Sequence, residues 1–121
     1  MAIDWDAVQD EVTGHLQALL RIETVNPPGN ETAAANYLAG VAAAAGIPHE
    51  IAEGRPGRGN FVARLAGSGA GRPVILLGHT DVVSVERDKW THDPFGGDVA
   101  DGFIWGRGAI DMKNQVAANL M

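Results

Sequence analysis

Pro73-Val74-Ile75-Leu76-Leu77-Gly78-His79-Thr80-Asp81 is the stretch on which the fold turns. Val74 to Leu77 are four large apolar residues in a row, without the alternation of a half-buried strand. A run this short, bounded by proline and glycine, predicts a strand buried on both faces, as in the sheet of an α/β protein. The run ends at once on an imidazole and a carboxylate. Ligands in open α/β sheets collect beyond the carboxyl ends of the strands, so His79 and Asp81 become site candidates. Side chains two apart on an extended chain share a face. Asp81 is thus placed to sit beside the His79 ring, hold one tautomer and raise its basicity, as a metal-bound histidine requires. Taken alone, a His-x-Asp tripeptide is common by chance and reads as a core histidine bonded to its neighbour. The surrounding chain has to decide.

Downstream, Gly106-Arg107-Gly108-Ala109-Ile110-Asp111-Met112-Lys113 has the same form. A strand ends, glycines permit a sharp turn, and a carboxylate stands just before a helix that starts near Met112. Asp111 there can meet a metal or cap the helix, and the two roles are compatible.

The rest of the chain supplies layers for such a sheet. Val8, Val12, Leu16, Leu19 and Leu20 recur at helical spacing, predicting an amphipathic helix from Trp5 to about Ile22 with Asp4 as N-cap. Val25-Asn26-Pro27-Pro28-Gly29-Asn30-Glu31 breaks it. A second, alanine-rich helix is predicted from Glu31 to about Ala45, with Leu38 and Val41 inward and Gly46 closing it. Short strands are expected at 47–52 and 60–66, and another at 99–105 turning at Asp101-Gly102. A loop from Ser84 to Gly97 carries Trp90, Pro94 and Phe95. Helix, helix, strands, helix is an α/β order, with a mixed, mostly parallel sheet. Residues 74–77 are expected at its centre, flanked by 60–66 and 98–105.

Composition narrows the partners. The 121 residues are 45% apolar, enough for one small core, and carry a net charge of −6 spread along the chain. No basic stripe suggests nucleic acid. No apolar run approaches a membrane span, and the N-terminus shows no secretory pattern. The absence of cysteine removes disulfides, thiolate nucleophiles and thiolate zinc sites. The expected compartment is the cytoplasm.

Taken together, His79, Asp81, Trp90, Pro94-Phe95, Asp101-Gly102, Gly106-Arg107-Gly108 and Asp111-Met112-Lys113 resemble the first metal-binding block of one metallohydrolase family. Its members include aminoacylases, acetylornithine deacetylase, succinyl-diaminopimelate desuccinylase and glutamate carboxypeptidase. Asn26-Pro27-Pro28-Gly29 resembles the turn after their first helix. The resemblance implies a zinc-exopeptidase catalytic domain of the phosphorylase/hydrolase-like kind, with two Zn²⁺ ions per full site and Co²⁺ or Mn²⁺ as alternatives. It implies that His79 binds one ion, that Asp111 bridges both, and that Asp81 is the catalytic carboxylate that orients His79. It also implies a cis peptide after Asp111. The substrate would be a small N-acyl amino acid or peptide.

The family's Glu-Glu pair, further acidic ligand, C-terminal histidine and lid/dimerisation domain have no counterpart in residues 1–121. The chain stops at Leu120-Met121 inside a predicted helix. It is therefore read as the N-terminal part of the catalytic domain, inactive alone and self-associating through an uncovered flank. A non-catalytic remnant, or one half of a split enzyme, remains the alternative. His15 falls on the first helix, His49 beside a strand with no acidic partner at ligand spacing, and His92 in the loop after the metal strand, and all three are read as structural. Trp90 and Phe95 are read as loop anchors, and Arg107 as the partner of a carboxylate that fixes its turn.

Overall fold

The computed structural model describes residues 2–121. Helix α1, Trp5–Leu20, begins as expected, with Asp4 Oδ1 accepting from the Ala7 N–H at 3.2 Å. That bond pairs one of the donors every helix start leaves free. Helix α2, Glu31–Ala44, follows the proline break, and Glu31 places a carboxylate at its positive end. Strands β1, His49–Glu53, and β2, Gly59–Ala63, pair antiparallel from His49↔Ala63 to Glu53↔Gly59. Helix α2 lies against this hairpin.

Strands β3, Asp98–Ala100, and β4, Phe103–Trp105, form a second antiparallel hairpin. Its turn residues Asp101 and Gly102 both have positive φ, at 54° and 80°. A two-residue turn of that hand matches the twist of the strands it joins. Helix α3, Lys113–Leu120, closes the order. The peptide Asp111–Met112 is cis, as expected, and so are Asn26–Pro27 and Pro27–Pro28.

The core joins the three helices. Leu16, Leu19 and Leu20 of α1 meet Ala34 and Leu38 of α2 and Val116 and Ala117 of α3. Phe61 and Ile104 pack on it from the two hairpins. None of the described helices is long and apolar enough to cross a membrane.

One side chain in this core is an ammonium. Lys113 is 0% exposed, and its Nζ donates to the carbonyls of Leu19 at 2.9 Å and Ile22 at 2.8 Å. The Leu19 carbonyl belongs to the C-terminal end of α1, where partial negative charge gathers, and Ile22 lies just beyond that end. Burial pulls the Lys113 ammonium down to about 8, which leaves it charged at neutral pH. An apolar side chain in its place would strand the Ile22 carbonyl, at roughly 1–3 kcal/mol for a buried acceptor left unpaired, and would leave the Leu19 carbonyl with the Ile22 N–H alone.

The central strand is where structure and expectation part. Residues 73–81 form no ladder, and Val74, Ile75, Leu76 and Leu77 are 82%, 84%, 65% and 81% exposed. Burial on both faces needs a neighbour on each edge and a layer on each side. Each hairpin instead closes on itself, so residues 60–66 and 98–105 do not flank the run. The expected mostly parallel sheet is not present among the described residues, because both sheets are two-stranded and antiparallel. The parallel pairing that does exist is the bridge Val25↔Val82.

Candidate metal centre

That bridge positions the first half of the site. Val82 donates its N–H to the Thr24 carbonyl at 3.0 Å, and Asn26 donates its own to the Val82 carbonyl at 2.9 Å. The buried Thr24 also donates its hydroxyl to the Thr80 carbonyl. Residues 80–82 are thereby stitched to the loop that follows α1. The second half is the turn 106–112. Gly108 sits at φ +87°, and a Cβ there would lie 2.6 Å from Val82 Cγ1. Only glycine lets this turn pass so close to the first segment. Lys113 then anchors the end of the turn to α1.

The two halves meet in an open cleft of about 560 Å³ lined by His79, Asp81 and Asp111 together with Trp90, Ile104 and Arg107. His79 Nδ1 lies 3.1 Å from both Asp81 Oδ1 and the Asp81 carbonyl. Its Nε2 lies 3.0 Å from Asp111 Oδ1. All three sequence candidates thus share one place. Asp81 and Asp111 engage opposite nitrogens of the ring, so their carboxylates do not converge. Among the described residues no group of three or more His, Cys, Asp or Glu side chains forms a metal-ligand set.

The electrostatics identify what the gap between Nε2 and Asp111 accommodates. With the Nδ1 proton given to Asp81, a neutral ring turns a lone pair toward the Asp111 oxygen. Two acceptors at 3.0 Å repel unless a proton or another cation lies between them. Without another cation, a second ring proton does this work. Partial burial pulls the His79 pKa down, but hydrogen bonds to the Asp81 carbonyl and the Asp111 carboxylate, and the charge of both aspartates, outweigh it. The net shift is upward from 6.5. The hydrogen bond from Asn26 holds the Asp81 carboxyl below its usual 3.8; burial opposes this and the His79 charge adds to it.

The other candidates fall elsewhere. His15 bonds the Tyr37 hydroxyl at 2.7 Å and joins α1 to α2. His49 contacts the Ile47 carbonyl on the β1β2 side. His92 lies 3.3 Å from Asp98 and stacks on Trp105. Phe95 is a buried anchor under the Arg87 guanidinium. Trp90 lines the cleft. The expectation for Arg107 is corrected: its guanidinium lies over the Trp90 ring at 5.1 Å, and its Nε is buried without a hydrogen-bond partner. The turn is closed by backbone instead, with the Arg107 N–H donating to the Pro94 carbonyl at 2.6 Å. Sequence reasoning passed over Asn26, which it took for turn material, and Lys113, which it took for motif.

Comparison with known proteins gives this arrangement a class and then a family. Residues 75–121, which hold His79, Asp81 and Asp111, match a family of peptidases. That family is Peptidase family M20/M25/M40. Over 109 residues, or 86% of the chain, it is 43% identical to a succinyl-diaminopimelate desuccinylase of Methylorubrum extorquens, of which this covers 27%. A protein of the same name from a Methylobacterium species is 47% identical over 107 residues, 84% of the chain and 26% of that protein. Another, from Cereibacter sphaeroides, is 55% identical over 65 residues, 53% of the chain and 17% of that protein. The chain thus spans about a quarter or less of the length of these curated relatives.

The two shifts fix a pH window. A raised His79 pKa contributes stability that is whole below 6.5 and is lost as pH rises through the folded value. A lowered Asp81 pKa contributes stability that is whole above 3.8 and is lost as pH falls through the folded value. Both contributions are complete between 3.8 and 6.5. The difference in urea midpoint between the native chain and Asp81→Asn is expected to be largest in that window. A difference constant across pH would contradict the pairing.

Proposed function

We propose that these residues are part of a metal-dependent amide hydrolase acting on a small N-acyl amino acid or peptide. The observation that carries the reading is the facing of His79 Nε2 and Asp111 Oδ1 at 3.0 Å, with Asp81 on the other ring nitrogen. Two donors bound to one zinc at 2.0–2.1 Å in a tetrahedron stand roughly 3.3 Å apart, so the spacing fits. Imidazole and carboxylate suit Zn²⁺ and also admit Co²⁺ or Mn²⁺. His79 and Asp111 would hold the metal, with Asp111 shared between two ions as the family resemblance implies. Bound ions of this kind supply a hydroxide at neutral pH and polarise the carbonyl to be attacked.

The chain's own residues prepare that chemistry. Asp81 keeps the proton on Nδ1 and leaves the Nε2 lone pair free. Trp90 and Ile104 give the open cleft apolar walls. The relatives are named for desuccinylation of succinyl-diaminopimelate, one member of the proposed substrate class. We place the protein in the cytoplasm, and the further ligands and general base of the complete site outside residues 1–121.

Two ligands fall short of the roughly three protein ligands a zinc ion takes, and no glutamate lines the cleft to accept a proton. The 121-residue chain is therefore expected to bind Zn²⁺ or Co²⁺ weakly and to hydrolyse no N-acyl amino acid or dipeptide. In calorimetric titration His79→Ala should abolish the binding, whereas His15→Ala and His49→Ala should leave it unchanged. Turnover that His79→Ala removes would overturn the expected inactivity, and binding indifferent to His79→Ala would overturn the site.

The bare run Val74–Leu77 supports a further element of the reading. An extended apolar segment with unpaired backbone groups is a template for strand pairing. The chain is expected to self-associate through it. Sedimentation should show mass rising with concentration, and Ile75→Lys should reduce it; a clean monomer throughout would count against this face.

A further inference from the structure

We propose that Asn26 is a positioning residue for the candidate metal centre: it orients Asp81, and through Asp81 fixes which His79 nitrogen carries the proton. The proposal rests on the reading of His79 as a metal ligand given above. Asn26 Nδ2 donates to Asp81 Oδ2 at 3.1 Å, while Asp81 Oδ1 lies 3.1 Å from His79 Nδ1, beside the Asp81 carbonyl that accepts from the same nitrogen at 3.1 Å. The two oxygens of one carboxylate are thus assigned separate partners, and the carboxylate plane is set.

The amide is itself held. Its Oδ1 accepts from Arg58 Nη1 at 3.4 Å, and Arg58 Nε lies 2.6 Å from Glu31 Oε2. That last contact is a close ion pair rather than a well-aligned hydrogen bond. Glu31 is buried in the first turn of α2. Asn26 therefore stands between a carboxylate, which requires a donor, and a guanidinium, which requires an acceptor. A primary amide meets both demands in one orientation only, because flipping it would set oxygen against oxygen and N–H against N–H. Aspartate at position 26 would repel Asp81.

The packing is tight around this relay. A Cβ on Gly29, at φ +88°, would fall 2.7 Å from Arg58 Cδ, Arg58 Nε and Glu31 Oε2. The Asn26-Pro27-Pro28-Gly29 segment is then more than a turn: it starts with the positioning amide and ends with the residue that clears room for the ion pair behind it. The backbone bond from Asn26 to Val82 keeps the amide in register with Asp81.

The ring proton provides the test. Asp111 is 86% exposed on its side chain and free to turn away, whereas Asp81 is held. In alkaline buffer, where the ring is neutral, the native chain should carry the His79 proton on Nδ1. Long-range ¹⁵N NMR of the ring reads this directly. Asn26→Ala should give a mixture of the two tautomers, and Co²⁺ affinity by calorimetry should fall on the order of 10-fold, as is usual when a ligand's supporting group is lost. Arg58→Gln, which leaves the backbone bonds of Asn26 in place, should shift the tautomers in the same direction and guards against misfolding of the first variant. Tautomer populations equal to those of the native chain in both variants would overturn the proposal. A native chain that binds no Co²⁺ would instead overturn the reading of His79 as a ligand, and the tautomer comparison would still decide the role of Asn26.

Discussion

The buried ammonium of Lys113, bonded to the Leu19 and Ile22 carbonyls, is the contact on which the arrangement depends. It joins residues more than 90 positions apart. A buried charge persists only with partners of opposite polarity. Here they are the Leu19 carbonyl in the last turn of α1, which also accepts from the Ile22 N–H, and the Ile22 carbonyl just beyond it. The contact satisfies the ammonium and the Ile22 carbonyl together. It fixes the start of α3, and with it the turn that carries Asp111.

The segment just after α1 serves the other half of the centre as well. Thr24 and Asn26 hold residues 80–82 by backbone and side-chain bonds, and Asn26 reaches the Asp81 carboxylate. One short stretch, 19–26, therefore grips both His79–Asp81 and, through Lys113, Asp111. The site does not depend on the regular sheet that the apolar run suggested. Its precision comes from two clamps on a common anchor, which is why His79 and Asp111 face one another although residues 74–77 lie uncovered.

What was legible in the sequence follows from what is local. Leucine spacing and an Asp4 cap define α1; two prolines keep α2 separate from it; Asp101-Gly102 defines the β3β4 hairpin. His79, Asp81 and Asp111 were named from the sequence because their chain neighbours resemble a family block, and the structure brings them together. Val74–Leu77 were misread because burial is a property of partners, and four apolar residues do not reveal whether an edge strand will meet them. Asn26, Lys113 and Arg107 were misjudged for a related reason. Their roles are set by groups 55 to 94 positions away, or, for Arg107, by an aromatic face where a carboxylate was expected.

The central claim is that the space between His79 Nε2 and Asp111 Oδ1 is a cation position, filled by a proton until a metal takes its place. Metal binding must then displace that proton. The direct measurement is a calorimetric titration of the native chain with Zn²⁺, carried out at mildly acidic pH in buffers of different ionisation enthalpy. The account predicts release of close to one proton per ion bound, diminishing as pH rises through the titration of His79. Uptake of the ion with no proton released at mildly acidic pH would contradict it.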